Sequence, residues 1–351
     1  MIMISICQMG VSTFRAKFVP LSQLDRIEKI FVVRRNPGPK IPKVEYIVLP
    51  GICKLSIFHL IVSPIILTYY TVKKKADIIL TYHFIPYLLF GFFASKMTKK
   101  PHIFCQTGSI CQHYIERKCL RRITKSLLNS LSAFNVPGMQ TLEYWVNHGI
   151  NTDKIRVLHS TIDTEKFSSR DVEKKFDFIY IGELGSHKRV DKIITAFSQI
   201  VKSGTEASLA IVGTGKDEDQ LKTLVRSLQV ENSVEFFGYQ KDVVEFLVLA
   251  KIFVMFSKAE GLPVALMEAM STELLVIAPD VNNIPGMLKN NVSGYLVESG
   301  NFQELFEKMN YALTNYHNLN HLRKNAREEI VTNHSYGVAV RKWEMLFARL
   351  T

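Results

Sequence analysis

Residues 251–278 read KIFVMFSKAEGLPVALMEAMSTELLVIA. The opening KIFVMFS is a short apolar, β-prone run, the pattern of a strand buried on both faces. Gly261 then permits a tight turn, and Pro263 suits the start of a helix because it has no amide hydrogen to leave unpaired. VALMEAM continues as an apolar helix, and 275–278 begins another strand. Strand, turn, helix and strand in this order make a βαβ unit with a parallel sheet. One feature resists a purely structural account. Glu268 is a lone carboxylate inside the apolar helix, where an uncompensated charge is costly. A second carboxylate, Glu260, stands eight positions earlier on the lip of the turn.

The same alternation runs along the chain. Strand candidates are 2–7, 29–34, 45–49, 77–81, 102–105 and 132–136, then 176–181, 208–212, 234–237, 252–256 and 275–278. Helical patterns lie between most of them, for example 190–204 and 217–230. The two series separate around 160–175, where STIDTEKFSSRDVEKK is polar enough to be a linker. At 351 residues two domains are expected. They are an α/β pair of doubly wound, Rossmann-like domains at 1–165 and 166–332, with a C-terminal helix at 333–351 packing back toward the first. Ligands of such folds bind at the carboxyl ends of strands, so the expected site is the cleft between the domains.

Charge divides unevenly between the halves. Residues 1–165 hold 22 Lys+Arg against 9 Asp+Glu, a net of +13; the rest holds 44 − 22 = 22 against 32 − 9 = 23, a net of −1. The basic half also carries the greasy stretches. LSIFHLIVSPIILTYYTV (55–72) runs into Lys73, Lys74 and Lys75, and FIPYLLFGFFASK (84–96) ends near Lys99 and Lys100. His59, Ser63 and Pro64 interrupt the first, which favours buried core beside a surface resting on anionic lipid over a membrane span. No nucleic-acid-reading signature accompanies the basic excess, so no specific nucleic-acid partner is expected. The five cysteines fit no zinc spacing and read as free thiols in a reducing cytoplasm, and MIMISICQ lacks the basic region of a signal peptide.

The strand at 251–257 should deliver Glu260 to the site. The free amides of the helix that follows, with its macrodipole, suit a phosphate. Glu268, about five residues further in, lies roughly 8 Å along the axis, in reach of ribose hydroxyls. Alone, Glu268 is as readily a carboxylate that pairs inside its domain. Gly182 ends the upstream strand, and Lys188 with Arg189 opens the next helix, where both can meet a diphosphate; a solvated basic turn is the plainer alternative. IVGTG (211–215) lacks the third glycine of a dinucleotide fingerprint and reads as a turn.

These residues resemble glycosyltransferase family 4, retaining enzymes of the GT-B fold that use nucleotide-activated sugars without a metal. The resemblance runs in order through IGELGSHKRVDKIITAF (181–197), IVGTGKDEDQLKTL (211–224), VEFFGYQKDVVEFL (234–247), FSKAEGLPVALMEAM (256–270) and IPGMLKNNVSGYLV (284–297). ADIILTYHFIPYLLFGFFASKMTKKPHIFCQTGSI (76–110) and SAFNVPGMQTLEYWVNHGINTDKIRVLHSTIDTEKF (132–167) are similar to the family's first-domain segments. The resemblance implies that Glu260 is the catalytic carboxylate beside the donor sugar and that Glu268 holds the ribose. It implies that amides from Gly261 through Leu262 to Pro263, with Val264 next, hold the diphosphate beside Gly182, Lys188 and Arg189. Gly10, Thr107 and Gly108 are the matching first-domain positions. Two positions depart from the pattern. Glu183 stands where family members commonly have arginine, and Thr107 where many have histidine.

The resemblance therefore implies a metal-independent retaining glycosyltransferase with no cofactor, taking a UDP- or GDP-sugar to a lipid-linked or polysaccharide acceptor in cell-surface glycan biosynthesis. It would sit in the cytoplasm against the inner face of the membrane. A non-catalytic relative that binds nucleotide or membrane as an accessory subunit is the other expectation, motivated by Glu183 and Thr107. A glycoside hydrolase pair is disfavoured because one carboxylate lies within an apolar helix.

Overall fold

The computed structural model describes residues 1–54, 56–107 and 112–349. The chain divides into two units, Met1–Thr161 with Tyr336–Thr351, and Ile162–Ser335. Helix 336–348 thus belongs to the first unit, and residues 333–335 to the second.

In the first unit the strands are β1 (Ile2–Ile6), β2 (Lys29–Arg34), β3 (Val44–Val48), β4 (Ile78–Tyr82), β5 (His102–Cys105), β6 (Ala133–Val136) and β7 (Ile155–Val157). They form one parallel sheet in the order β3-β2-β1-β4-β5-β6-β7. Its helices are α1 (Val11–Gln23), α2 (Ser56–Lys73), α3 (Tyr87–Thr98), α4 (Gln112–Glu116), α5 (Lys118–Asn129) and α6 (Met139–Asn147). Successive residues along the strands feed opposite cores, as a pleated strand covered on both faces must. Ile30 and Val32 pack on one side with Phe14 and Phe18, and Phe31 and Val33 on the other with Leu67 and Phe90.

The second unit holds β8 (Phe176–Ile181), β9 (Leu209–Val212), β10 (Val234–Gly238), β11 (Ala250–Val254), β12 (Leu275–Asp280) and β13 (Tyr295–Glu298). They too are parallel, ordered β10-β9-β8-β11-β12-β13. Its helices are α7 (Val190–Lys202), α8 (Glu218–Ser227), α9 (Val244–Val248), α10 (Val264–Ser271), α11 (Ile284–Met287), α12 (Phe302–Thr314) and α13 (Asn320–His334). Helix α14 (Tyr336–Ala348) completes the first unit instead. Trp343 and Phe347 stack at 5.3 Å and lie in the same core as Phe14, Phe18 and Leu21 of α1.

Two strands escape the sequence reading, β7 and β13. Each ends its sheet and is only three or four residues long, too short for a periodic or apolar run to stand out.

Helix α2 inverts the usual surface pattern. His59 and Ser63 face inward, His59 Nδ1 lying 2.7 Å from Ser63 Oγ and its ring packing edge-on against Tyr87 and Phe90. Ile57, Leu60, Ile61, Ile65 and Val72 are instead more than half exposed. The helix runs unbroken through Pro64. Among the described residues no helix is long and apolar enough to cross a membrane. Cys7, Cys53, Cys105 and Cys119 are free thiols.

Candidate functional site

In the second sheet the strand order reverses between β8 and β11, and the loops beyond the carboxyl ends of two such strands form the natural crevice of a doubly wound fold. The loop after β8 carries Gly182 to Arg189; the loop after β11 carries Glu260 to Pro263. Close backbone packing fixes the first loop. A Cβ on Gly182 would lie 2.6 Å from the Tyr180 hydroxyl, which donates to the Glu183 carbonyl at 2.8 Å. Gly213, at φ 141°, would drive a Cβ to 1.8 Å from the Gly182 carbonyl oxygen, and Gly215 to 2.2 Å from that of Leu184. The Leu184 amide donates to Thr214 O at 3.0 Å and Asp217 N–H to Leu184 O at 3.1 Å. The IVGTG glycines therefore let two backbones meet. They are a turn, as their missing third glycine implies.

The two loops are tied together. Lys258 N–H donates to His187 O at 2.9 Å, and Glu260 N–H holds the second loop to Asn282 Oδ1, beyond β12, at 3.1 Å. At the centre, Lys188 Nζ donates to Glu260 Oε1 at 2.6 Å, with side chains only 18% and 9% exposed. A largely buried pair of this kind is a charge-assisted bond whose members each depend on the other. Beside it Pro263 caps α10, which starts at Val264. Pro263 has no N–H, so it gives an anion no hydrogen bond; the donors available here are Gly261, Leu262, Val264 and the amides of the first turn.

Glu268 is the fifth residue of α10, 5% exposed among Leu266, Met267, Ala269 and Met270. Burial pushes its carboxyl up to about 8, with Lys166 opposing that shift and Asp242 adding to it. No hydrogen bond or ion pair of the described residues reaches that carboxylate. Among the described residues the cost foreseen from the sequence is only partly offset, and a carboxyl raised to about 8 favours the protonated form at neutral pH.

Arg189 departs from expectation. It sits in the left-handed region, φ 53° and ψ 41°, at the N-terminal cap of α7. Its guanidinium lies 5.6 Å over the Phe256 ring and beside Gly300, and it makes no hydrogen bond to Glu260. Consecutive residues diverge at such a cap, which sequence spacing does not reveal.

Residues 161–329 match the family model described as Glycosyl transferases group 1. That match spans nearly the whole of the second unit. The chain is 32% identical over 168 residues to the amylovoran biosynthesis glycosyltransferase AmsK of Erwinia amylovora, covering 45% of this chain and 41% of that protein. It is 25% identical over 265 residues to the N,N'-diacetylbacillosaminyl-diphospho-undecaprenol alpha-1,3-N-acetylgalactosaminyltransferase of Campylobacter jejuni, covering 68% and 69%. The chain spans between 38% and 53% of the length of three curated relatives, the Erwinia protein among them. Among solved structures, Anabaena Alr3699/HepE in complex with UDP and glucose superposes with a TM-score of 0.83 at 17% identity, over 99% of this chain and 100% of that one. That likeness shows the fold, GT-B, with two Rossmann-like domains.

The first unit of this glycosyltransferase fold offers its own cluster at the β1/β4 reversal. Gly10 caps α1 at φ −65° and a Cβ there would meet nothing within 4 Å, so neither backbone nor space demands glycine. Thr107 Oγ1 lies 2.9 Å from His83 Nδ1. His83 follows β4 at φ 63°, and burial lowers its pKa, which keeps the imidazole neutral. The sequence reading missed His83, although its place directly after the strand run in DIILTYHF was visible. Arg34, at the end of β2, donates from Nη2 to Met9 O at 3.3 Å and lies 5.0 Å over the Phe14 ring. Gly108 lies outside the described residues.

Proposed function

We propose that this chain is a retaining, metal-independent hexosyltransferase that moves a sugar from a UDP- or GDP-sugar to a lipid-linked or polysaccharide acceptor of the cell surface. The Lys188–Glu260 pair beside the α10 N-terminus, with Glu268 inside that helix, carries this reading. The Lys188 ammonium and the α10 amides stabilise the diphosphate as charge develops on it. Glu268 accepts from the ribose hydroxyls, and Glu260 stands by the sugar as its anomeric carbon becomes cationic. In transfer the anomeric carbon–diphosphate bond breaks and the acceptor oxygen bonds to that carbon on the same face. The hydroxyl proton leaves to the departing phosphate oxygen. Gly10, His83, Thr107 and Gly108 are assigned to the acceptor side. The UDP bound by HepE and the diphospho-undecaprenol substrate named for the Campylobacter relative support the donor and acceptor classes.

The first unit rests on the cytoplasmic face of an anionic membrane. Its outward apolar α2 surface is continued by the exposed Leu89, Phe93 and Met97 of α3 and flanked by Lys73, Lys75 and Lys99. Apolar burial at the interface and charge attraction to anionic lipid combine on such a surface. The test is release of nucleoside diphosphate from UDP-glucose, UDP-N-acetylglucosamine, UDP-N-acetylgalactosamine and GDP-mannose, with and without polyprenyl-diphosphate glycans. One donor should turn over, and Glu260→Gln should not. Nucleotide binding without turnover of any donor supports the accessory-subunit reading instead.

A further inference from the structure

A cavity of about 640 Å³ opens beside the loop after β8, on the side where Arg189 points. Its apolar wall includes Leu221 of α8, Phe256 after β11 and Phe302 of α12. Lys188 and Glu260 are not among the residues that line it. A volume of this size accommodates a whole small metabolite.

Two independent costs converge on Arg189. Its backbone adopts a left-handed conformation that non-glycine residues avoid. Its guanidinium also places a buried Nη1 where no acceptor of the described residues meets it. Buried charged donors are normally satisfied, so the unmet Nη1 is available to an anion. The Phe256 ring lies beneath the guanidinium, its centroid 5.6 Å from Cζ, and gives it a cation–π contact but no hydrogen-bond acceptor. The other charges lining the cavity are Lys192, Lys258, Asp191 and Asp217. Lys192 Nζ lies 3.8 Å from Asp191 Oδ2. Three cations against two carboxylates leave an excess of one positive charge, centred on the least exposed cation.

We propose that this cavity is a second ligand site, distinct from the Lys188–Glu260 centre, for a small carboxylate or phosphate monoester carrying an apolar or ring-shaped body. The guanidinium takes two oxygens of the carboxylate or phosphate through paired N–H groups, and the Leu221–Phe256–Phe302 wall takes the body. The loop is shared, because Lys188 and Arg189 are consecutive and His187 O is held by Lys258 N–H.

Phenyl phosphate, benzoate and phenol serve as probes, with binding to the full chain followed by ligand-observed NMR titration. Arg189→Gly is the informative variant, since glycine accepts φ 53° without strain and the fold should melt no lower than the parent. Phenyl phosphate or benzoate should bind, phenol at least tenfold more weakly, and Arg189→Gly should lose at least tenfold in anion affinity. Lys188→Ala should leave phenyl phosphate binding unchanged, as should saturating UDP. Displacement by UDP, or loss in Lys188→Ala but not in Arg189→Gly, would assign the probe to the donor site and overturn the proposal. Absence of anion binding at millimolar probe, or a melting temperature several degrees lower in Arg189→Gly, would overturn it as well. The second outcome would make the guanidinium a structural element. None of these readouts requires that the chain turn over a nucleotide sugar, so the two proposals fail separately.

Discussion

Lys188 Nζ and Glu260 Oε1 meet at 2.6 Å between the loops that follow β8 and β11. In the free protein each satisfies the other, so the group proposed to receive the diphosphate is neutralised by the group proposed to face the sugar. Glu260→Gln removes that competition. Its kcat should fall at least a hundredfold, because a carboxylate near a developing cation acts mainly in the transition state. Affinity for bare nucleoside diphosphate should hold or tighten by roughly threefold to tenfold as the ammonium is released. Calorimetry with UDP and GDP checks this, and a weaker complex would contradict the proposed division of roles.

Lys188→Ala should weaken nucleoside diphosphate binding by about 1.5–3 kcal/mol, the usual range for a hydrogen bond to a charged group. It also strands Glu260 at 9% exposure, so the second unit should lose stability. Arg189→Ala should change nucleotide affinity less than threefold, because its guanidinium faces Phe256 and Gly300. Equal losses in the two variants would bring Arg189 back to the diphosphate.

Glu268 predicts a pH dependence. Its carboxyl titrates near 8 in the folded chain against 4.5 for an ordinary glutamate. Between those values the folded state holds a proton that the unfolded state has released. Stability contributed by that proton is therefore present at low pH, falls as pH rises through this window and levels off above about 8. Glu268→Gln should melt close to the parent near pH 5 and several degrees higher near pH 8.5. Donor binding that ionises the carboxylate should release up to about one proton per nucleotide at pH 6.5, visible in buffers of different ionisation enthalpy. Proton uptake, or a variant that loses stability at high pH, would refute this assignment.

Ile61 and Ile65 lie on the outward α2 surface at 57% exposure each, so replacing them leaves the core intact. The parent should float with phosphatidylglycerol vesicles, more weakly in high salt, and Ile61→Glu with Ile65→Glu should remain in the pellet fraction at an unchanged melting temperature. Equal flotation of parent and double variant would remove α2 from the contact.

Much of this architecture was legible because long buried strands write their burial into composition. FDFIYI and KIFVMFS show it without any periodicity argument. The missed strands, IRV and YLVE, are short edges. The site was legible to the level of residue type and no further. The sequence named Lys188, Glu260 and Glu268, but mutual neutralisation of the first two depends on where two loops converge. The raised carboxyl of Glu268 depends on neighbours brought in by tertiary packing. Arg189 was placed with Lys188 by spacing alone, and the αL turn that sets its guanidinium over Phe256 leaves no mark there; the contact of His83 with Thr107 depends on the loop after β5.

Helix α14 follows every other described element in the chain, yet Trp343 and Phe347 complete the core built on Phe14 and Phe18. During synthesis, the first unit cannot close until helix α14 has left the ribosome, whereas residues 162–335 form one uninterrupted segment that can fold earlier. The order of folding is then the reverse of the order of translation. A chain truncated before residue 336 should emerge with an intact second unit and with α1 bearing uncovered aromatic rings, an aggregation hazard that quality control would meet first.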